Sequence, residues 1–432
     1  MGTVADPVQR AIGHVVARAS GDAFDRTVPV TLHFQPDLRV GDATTLEAIA
    51  HDGRYRSQFE TGTSNGGLTA HQGGDRWAWE SRMFGGAYDA ADPGLRPKYG
   101  SLNIRRDPYG GSPRFGSAYF EVAPAALDRV TFCFPDSVYE PTDFGTFERM
   151  SLVPLVETCG FEDPLDLVVE AHLHGSADVG ADLRSVVLDP SYRGTTTEDV
   201  ARTLPCIVRW HSGYRVATDV LADHATYRGA EIVAAAMDIA EDGVLTPRIV
   251  GAARTSGDHD LQTVKRVWHA LARFGRRNEG QLFGEDDPLA SDVRALRAVH
   301  HEFARRVTPT GHVHAFDPAS KPPTTVTFHS VRGVGGELMA IGALRRLDDS
   351  HAEVKSMHTA ASARGNGTGR AMLDHLIAEA RAWGVRRVSL ETGTMGAFAP
   401  ARSLYHAAGF VECPPFAEYT PNPYSVCMTR SL

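Results

Sequence analysis

Residues 363–370 read Ala-Arg-Gly-Asn-Gly-Thr-Gly-Arg, with glycine at alternate positions 365, 367 and 369. The backbone must turn sharply there, and the amides of Gly365, Asn366, Gly367, Thr368 and Gly369 stand largely uncovered by side chains. A helix-like run begins just after. Converging N–H groups at a helix start, flanked by Arg364 and Arg370, suit a diphosphate.

Two further groupings in the first two-thirds carry weaker signals. His33 in Thr31-Leu-His-Phe, Thr63-Ser64 and Glu170 in Val-Val-Glu-Ala-His occur in the order that an NAD-using ADP-ribosyl transfer site needs. A histidine holds the nicotinamide side, hydroxyls line the pocket, and a later glutamate polarises the ribose. Alternatively, His172 and His174 alternate on a strand and share a face, where Glu170 and His211 could join them around zinc. A third reading has these polar residues satisfying one another in a folded partner or specificity domain, with Gly85-Gly86 and Arg96–Asn103 shaping loops. No metal site is assigned.

The elements that must position these residues fall into two textures. The 432 residues exceed the size at which one core stops growing, so more than one domain is expected. Residues 1–278 read as a mixed α+β domain with short strands at Val28–Phe34, Ala118–Val122, Arg129–Phe134, Leu167–His174 and Ser185–Leu188. Helices are expected at Pro7–Ala19, Thr196–Thr203, Thr226–Glu241 and Asp258–Phe274. A Gly-, Arg- and Asp-rich junction at Gly275–Pro288 leads into residues 279–432. There the pattern is strand (Gln281–Phe283), helix (Asp292–Arg306), three strands (Thr324–Val331, Glu337–Leu347, His351–Thr359), helix (Arg370–Trp383), strand (Arg387–Thr392), helix (Pro400–Ala407) and a last strand ending near Met428. On the third strand Glu353, Lys355 and Met357 alternate, which predicts one shared face, with His358 opposite.

A net charge of −9 argues against nucleic acid as a partner. No apolar run is long enough to span a bilayer. Charged residues interrupt the N-terminal apolar positions, and five scattered cysteines form no Cys-x-x-Cys, which together point to a cytoplasmic protein.

The C-terminal third resembles the GNAT N-acetyltransferase superfamily. Arg364, Gly367 and Gly369 match its Arg/Gln-x-x-Gly-x-Gly/Ala signature, Ala401–Phe410 resembles its Leu-Tyr…Gly-Phe segment, and Glu353-Val-Lys-Ser-Met357 its central strand. The resemblance implies a GNAT α/β fold, acetyl-CoA as donor, and a small-molecule or protein amine as acceptor, with a homodimer as a recurrent state of such domains. It implies that Arg364, Gly365, Asn366, Gly367, Thr368, Gly369 and Arg370 hold the pyrophosphate and that Met357, His358 and Thr359 pair with the pantetheine arm. An amine attacking a thioester benefits from a base, and the departing thiolate from an acid. Glu353 is the candidate base, with Glu391 its rival, and Tyr405 matches the tyrosine placed near the CoA sulfur. The sequence departs from the pattern at Phe398, where many members have asparagine, and at Ala361, where proline is common. The first two-thirds resembles a bacterial domain of unknown function, DUF3626, through Thr61–Gly66, Arg96–Asn103, Gly111–Gly116, Glu170–Gly175 and Leu188–Gly194. That resemblance implies no activity. The expected function is acetyl transfer to an amine. The alternatives are an ADP-ribosyltransferase-like N-terminal enzyme or a GNAT domain that only senses CoA.

Overall fold

The computed structural model describes residues 6–62, 69–276, 280–314 and 316–432. The chain forms two compact units, residues 1–280 and 281–432. The boundary drawn between 278 and 279, and the Thr63-Ser64 pair, lie outside the described residues.

Unit 1 starts with α1 (Pro7–Arg18), whose first turn is set by the Asp6 side chain accepting from Val8 N–H and by Pro7 at the first helical position. Its Val8, Ala11 and Val15 pack with Phe84, Tyr88, Cys133 and Phe144. The sheet includes β1 (Val30–Phe34), β2 (Lys98–Leu102), β3 (Ala118–Val122), β4 (Val130–Phe134), β5 (Glu170–Leu173), β6 (Leu183–Leu188) and β7 (Ile207–His211), with a short strand, Asp143–Gly145, beside β4. Their order is β7-β6-β3-β1-β2-β5-β4, antiparallel except for β6 and β7. β-branched and aromatic residues dominate β1, β3 and β4, and every residue of those strands is buried. Helices α2 (Asp75–Met83), α3 (Ala230–Ile239), α4 (Pro247–Ser256) and α5 (Leu261–Phe274) follow the chain order. The face predicted for α5 is the buried one: Val264, Val267, Trp268 and Leu271 enter a second core with Ile232, Ala236, Ile249 and Val250.

Three readings change here. The Arg96–Asn103 stretch contributes a central strand, β2, rather than a loop. Its lysine and serine lack the apolar signature of a strand because their polar atoms are bonded inside the unit. The helix expected over Thr226–Glu241 begins only at Ala230, since Arg228 and Gly229 adopt positive φ (60° and 115°). The strand expected over Leu167–His174 narrows to Glu170–Leu173.

Unit 2 comprises β8 (Leu282–Glu285), α6 (Ser291–Val307), β9 (Val326–Arg332), β10 (Leu338–Asp348), β11 (His351–Thr359), α7 (Thr368–Ala382), β12 (Arg387–Gly393), α8 (Ala399–Ala407), β13 (Val411–Cys413) and β14 (Ser425–Ser431). The strand order is β13-β14-β12-β11-β10-β9-β8. Only the β11–β12 pair is parallel, and it ends early: His351↔Arg387, Ala352↔Val388 and Glu353↔Ser389 are its three pairings. Beyond Glu353 the two strands part. α7 covers one face, packing Met372, Leu373 and Leu376 on Leu344, Val354 and Ala352. α6 packs on β10 and β11.

Candidate active site

The glycine loop is built as its composition requires. Gly365 and Gly367 hold φ of 81° and 79°, the left-handed region that an L side chain resists, and Gly367 is the N-cap of α7. Gly369 lies inside the first turn. A Cβ there would sit 3.1 Å from Thr359 Oγ1, so its role is close approach rather than dihedral freedom. The helix starts two residues before the expected Arg370, which places Thr368 and Gly369 among the N-terminal amides. Arg364 donates from Nε to Thr359 O (3.1 Å) and from Nη2 to His358 Nε2 (3.2 Å). Arg370 turns from the loop to Asp374 (2.9 Å) and to the Ala407 carbonyl (3.2 Å).

The single-face reading of Glu353, Lys355 and Met357 is corrected. Ser356 has φ 52° and the β10–β11 register slips there, from Ala343↔Lys355 to Ile341↔His358. The bulge keeps Glu353 and Lys355 on one face but adds His358 to it, because residues paired with Ala343 and Ile341 share a side. Met357 is turned over and packs into the core under α7. A bulge of this kind leaves no trace in side-chain alternation, which is why pattern reading missed it.

A cavity of about 400 Å³ opens where β11 and β12 part. The glycine loop reaches it through Arg364 and Gly369, β11 through Glu353 to Thr359, β12 through Glu391, and α8 through Tyr405. Glu353 is fully buried. Its Oε1 accepts from Lys355 Nζ (2.9 Å) and from the Tyr419 hydroxyl (2.5 Å), while Lys355 also touches Tyr419. Its Oε2 has Arg345 at 3.5 Å and no hydrogen bond. The Glu353–Lys355 ion pair is therefore internal. Tyr419, which pattern reading missed, comes from the irregular segment before β14. Glu391 has its carboxyl pushed above the ordinary carboxylate range, first by burial and further by nearby Glu353, although Ser425, His314 and Lys355 act against this. Tyr405 is 8% exposed, and burial, then Glu391, push its phenol up to about 12. His358 and His300, also on the cavity wall, are driven down to about 4 by burial and are neutral at pH 7. Phe398 stacks edge-on against Phe303 at the head of α8.

In unit 1 the described members of the two competing groupings are placed as follows. His33 uses both nitrogens on backbone, Nδ1 against Gly116 O (3.0 Å) and Nε2 accepting from Ser112 N–H (3.3 Å). Glu170 accepts from Ser137 Oγ (3.0 Å) and pairs with His172 Nε2 (2.9 Å). His174 is held by Tyr88 and Thr131, and His211 lies on β7 against the Ser117 carbonyl. Neither histidine joins the Glu170 group. Cys133, opposite Glu170 on β4, takes their place: Cys133, Glu170 and His172 each offer a ligand atom within 4.8 Å of the others. Cys133 Sγ and Glu170 Oε1 both approach the same Nε2 of His172, so the trio lacks the relay order of a nucleophile, base and orienting acid. No helix among the described residues is long and apolar enough to cross a membrane.

Comparison with known proteins bears on both units. The family described as "Protein of unknown function (DUF3626)" matches residues 29–163 and 154–274, and "Acetyltransferase (GNAT) family" matches residues 294–410. The uncharacterised N-acetyltransferase YsnE of Bacillus subtilis is 41% identical over 147 residues, covering 34% of this chain and 97% of that protein. The uncharacterised N-acetyltransferase YedL of Escherichia coli is 39% identical over 147 residues, covering 34% of this chain and 92% of its own. A solved structure from Klebsiella pneumoniae, provisionally named acyl-CoA N-acyltransferase, is 27% identical, covers 35% of this chain and 96% of its own, and has a TM-score of 0.30.

Proposed function

The chain belongs to the DUF3626 family and its C-terminal unit is an N-acetyltransferase of the GNAT family, and from that premise we propose that unit 2 moves acetyl from acetyl-CoA to an amine in the β11–β12 cleft. The observation that carries this reading is the parting of the two strands after Glu353↔Ser389. It opens glycine loop, Tyr405 and two carboxylates onto one cavity.

The residues would divide the work as follows. Amides of residues 365–369 and the α7 dipole hold the pyrophosphate. The β11 edge beyond Glu353, with no β12 partner, is free to pair with the pantetheine amides, and a main-chain N–H there can meet the developing oxyanion. Glu353 is already occupied by Lys355 and Tyr419, so it serves as a fixed negative charge that attracts the ammonium. Glu391, with its raised proton affinity, accepts the proton that the ammonium must lose. The amine nitrogen then bonds to the acetyl carbon, the carbon–sulfur bond breaks, and Tyr405 protonates the thiolate. A cavity of about 400 Å³ that must also take the thioester favours a small amine or a chain terminus as acceptor.

The test is CoA release, read with a thiol reagent, from the full chain and acetyl-CoA across a panel of small amines and peptide N-termini. Turnover that falls in Glu391→Gln and Tyr405→Phe supports the reading. CoA that binds but is never produced with any amine refutes it and leaves a sensor.

A further inference from the structure

Unit 1 carries a cluster of cations that its acids do not balance. Arg114, in the Gly111–Gly116 segment singled out from sequence, sits in the 3-10 turn Pro113–Phe115. Trp268 Nε1 donates to the carbonyls of Pro113 (3.1 Å) and Arg114 (3.2 Å), clamping that turn onto α5. On α5 itself, Lys265, His269 and Arg273 follow at four-residue spacing and share a face. Arg228, in the left-handed conformation just before α3, reaches the same place: its Nη2 and Arg114 Nη1 both contact Asp166 Oδ1 (3.2 and 2.9 Å). Asp163 faces Arg228 at 2.8 Å and Arg273 at 3.9 Å. Asp136 approaches Arg114 only at 3.9 Å.

The donors are left over. His269 is 5% exposed and neither ring nitrogen has a hydrogen-bond partner; Arg114 Nε and Arg228 Nε are also buried without one. Lys265 has no hydrogen bond or ion pair among the described residues, and burial, then Arg114, Arg254, Arg228 and Arg266, push its ammonium below the usual lysine range. Burial first, then Arg228, Arg114 and Lys265, push the His269 ring down to about 3 against a smaller opposing effect of Asp163. Unpaired buried donors are costly. Two guanidinium Nε atoms, a lysine and a buried imidazole that lack acceptors, beside guanidinium groups already held by Asp163 and Asp166, are accounted for when an anion supplies the missing acceptors.

We propose that Arg114, Arg228, Lys265 and His269 form a binding site for a dianionic phosphoryl group, as free phosphate or as a phosphate monoester. Two arginines offer planar forks for its oxygens and Lys265 a point charge at the more exposed side. The two aspartates hold the guanidinium groups in place and leave a positive excess for the ligand. The site is independent of the acetyl-transfer reading.

Calorimetric titration of the full chain with inorganic phosphate, and separately with AMP, tests this. One site is expected, with at least tenfold weaker binding in Lys265→Glu and in Arg228→Gln. Arg18→Gln, exposed at the end of α1, should bind as wild type. So should Arg364→Gln, which alters the glycine loop of unit 2. Tighter binding of AMP identifies a monoester as the ligand and tighter binding of phosphate the free ion; both support the site when Lys265→Glu weakens them. No binding of either probe, or binding lost in Arg364→Gln and retained in Lys265→Glu, overturns the proposal. Circular dichroism of each variant confirms the fold.

Discussion

Lys355→Met is the sharpest probe of the cleft. The lysine is 8% exposed at its side chain and the Glu353 carboxylate 0%, with 2.9 Å between them. At an effective dielectric near ~20, charges at that distance attract by about 6 kcal/mol, most of it offset by desolvation. Removing one member of a buried pair typically costs about 3–5 kcal/mol, because the other charge is stranded. Here the stranded carboxylate keeps the Tyr419 hydroxyl and has Arg345 at 3.5 Å, though Arg345 is 28% exposed and shared with Glu418. The expected loss is therefore lower, about 2–3 kcal/mol. Adding Glu353→Gln to Lys355→Met should recover part of it, with a coupling of at least ~1 kcal/mol. Hydrogen exchange in β11 and α7 of the full chain, under conditions where it reports opening free energy, measures all four corners of the cycle. A loss under ~0.5 kcal/mol for Lys355→Met, or additive losses in the double variant, would refute a coupled buried network.

Four further outcomes follow from named geometry. The raised Glu391 carboxyl predicts that kcat/KM falls with unit slope as pH drops through a midpoint above the ordinary 4.5, since only the ionised form accepts a proton; Glu391→Gln should remove that limb and cost about 10²–10³-fold on the plateau, and a limb that survives moves the role to Glu353. Tyr405→Phe should lower kcat about 10–100-fold with donor KM unchanged; a change in stability alone would make it a core tyrosine. Gly367→Ala, at φ 79°, should cost about 1 kcal/mol and raise KM for acetyl-CoA, and an unchanged KM would detach the loop from the donor. In unit 1, Lys98 is 1% exposed, donates to the carbonyls of Gly94, Arg96 and Gly175, and is pushed down by burial to about 8 from 10.5. Between those values the unfolded chain holds the proton that the folded one has released, so stability should rise with pH by up to about 1.4 kcal/mol per unit, and Lys98→Met should abolish the rise.

Much of unit 2 was legible because its elements are separately amphipathic and its turns are marked by glycine. β11 was read from His351 to Thr359 and the glycine loop was placed at the head of a helix. What escaped was the side to which residues turn. Ser356 looks like any strand serine, yet its positive φ reverses Met357 and His358. Unit 1 was less legible. β2 reads Lys-Tyr-Gly-Ser-Leu and hid as a loop because its polar atoms find partners from distant segments, as Lys98 does in Gly175. The zinc grouping of Glu170, His172, His174 and His211 came together only in part: Glu170 and His172 pair, but the β4–β5 register puts Cys133, and not His211, beside Glu170.

By itself, then, the sequence determined the local features that depend on neighbours a few residues apart. These are the helix and strand periods, the glycine-lined anion cradle with its arginines, and the two textures of the chain. The tertiary structure alone decided which charges meet. Tyr419 joins Glu353 from sixty-six residues away, Glu391 acquires its proton affinity from burial, and Arg114 and Arg228 meet on Asp166 from separate segments. Desolvation and charge pairing act through space, and their strength depends on burial that no local pattern of residues records.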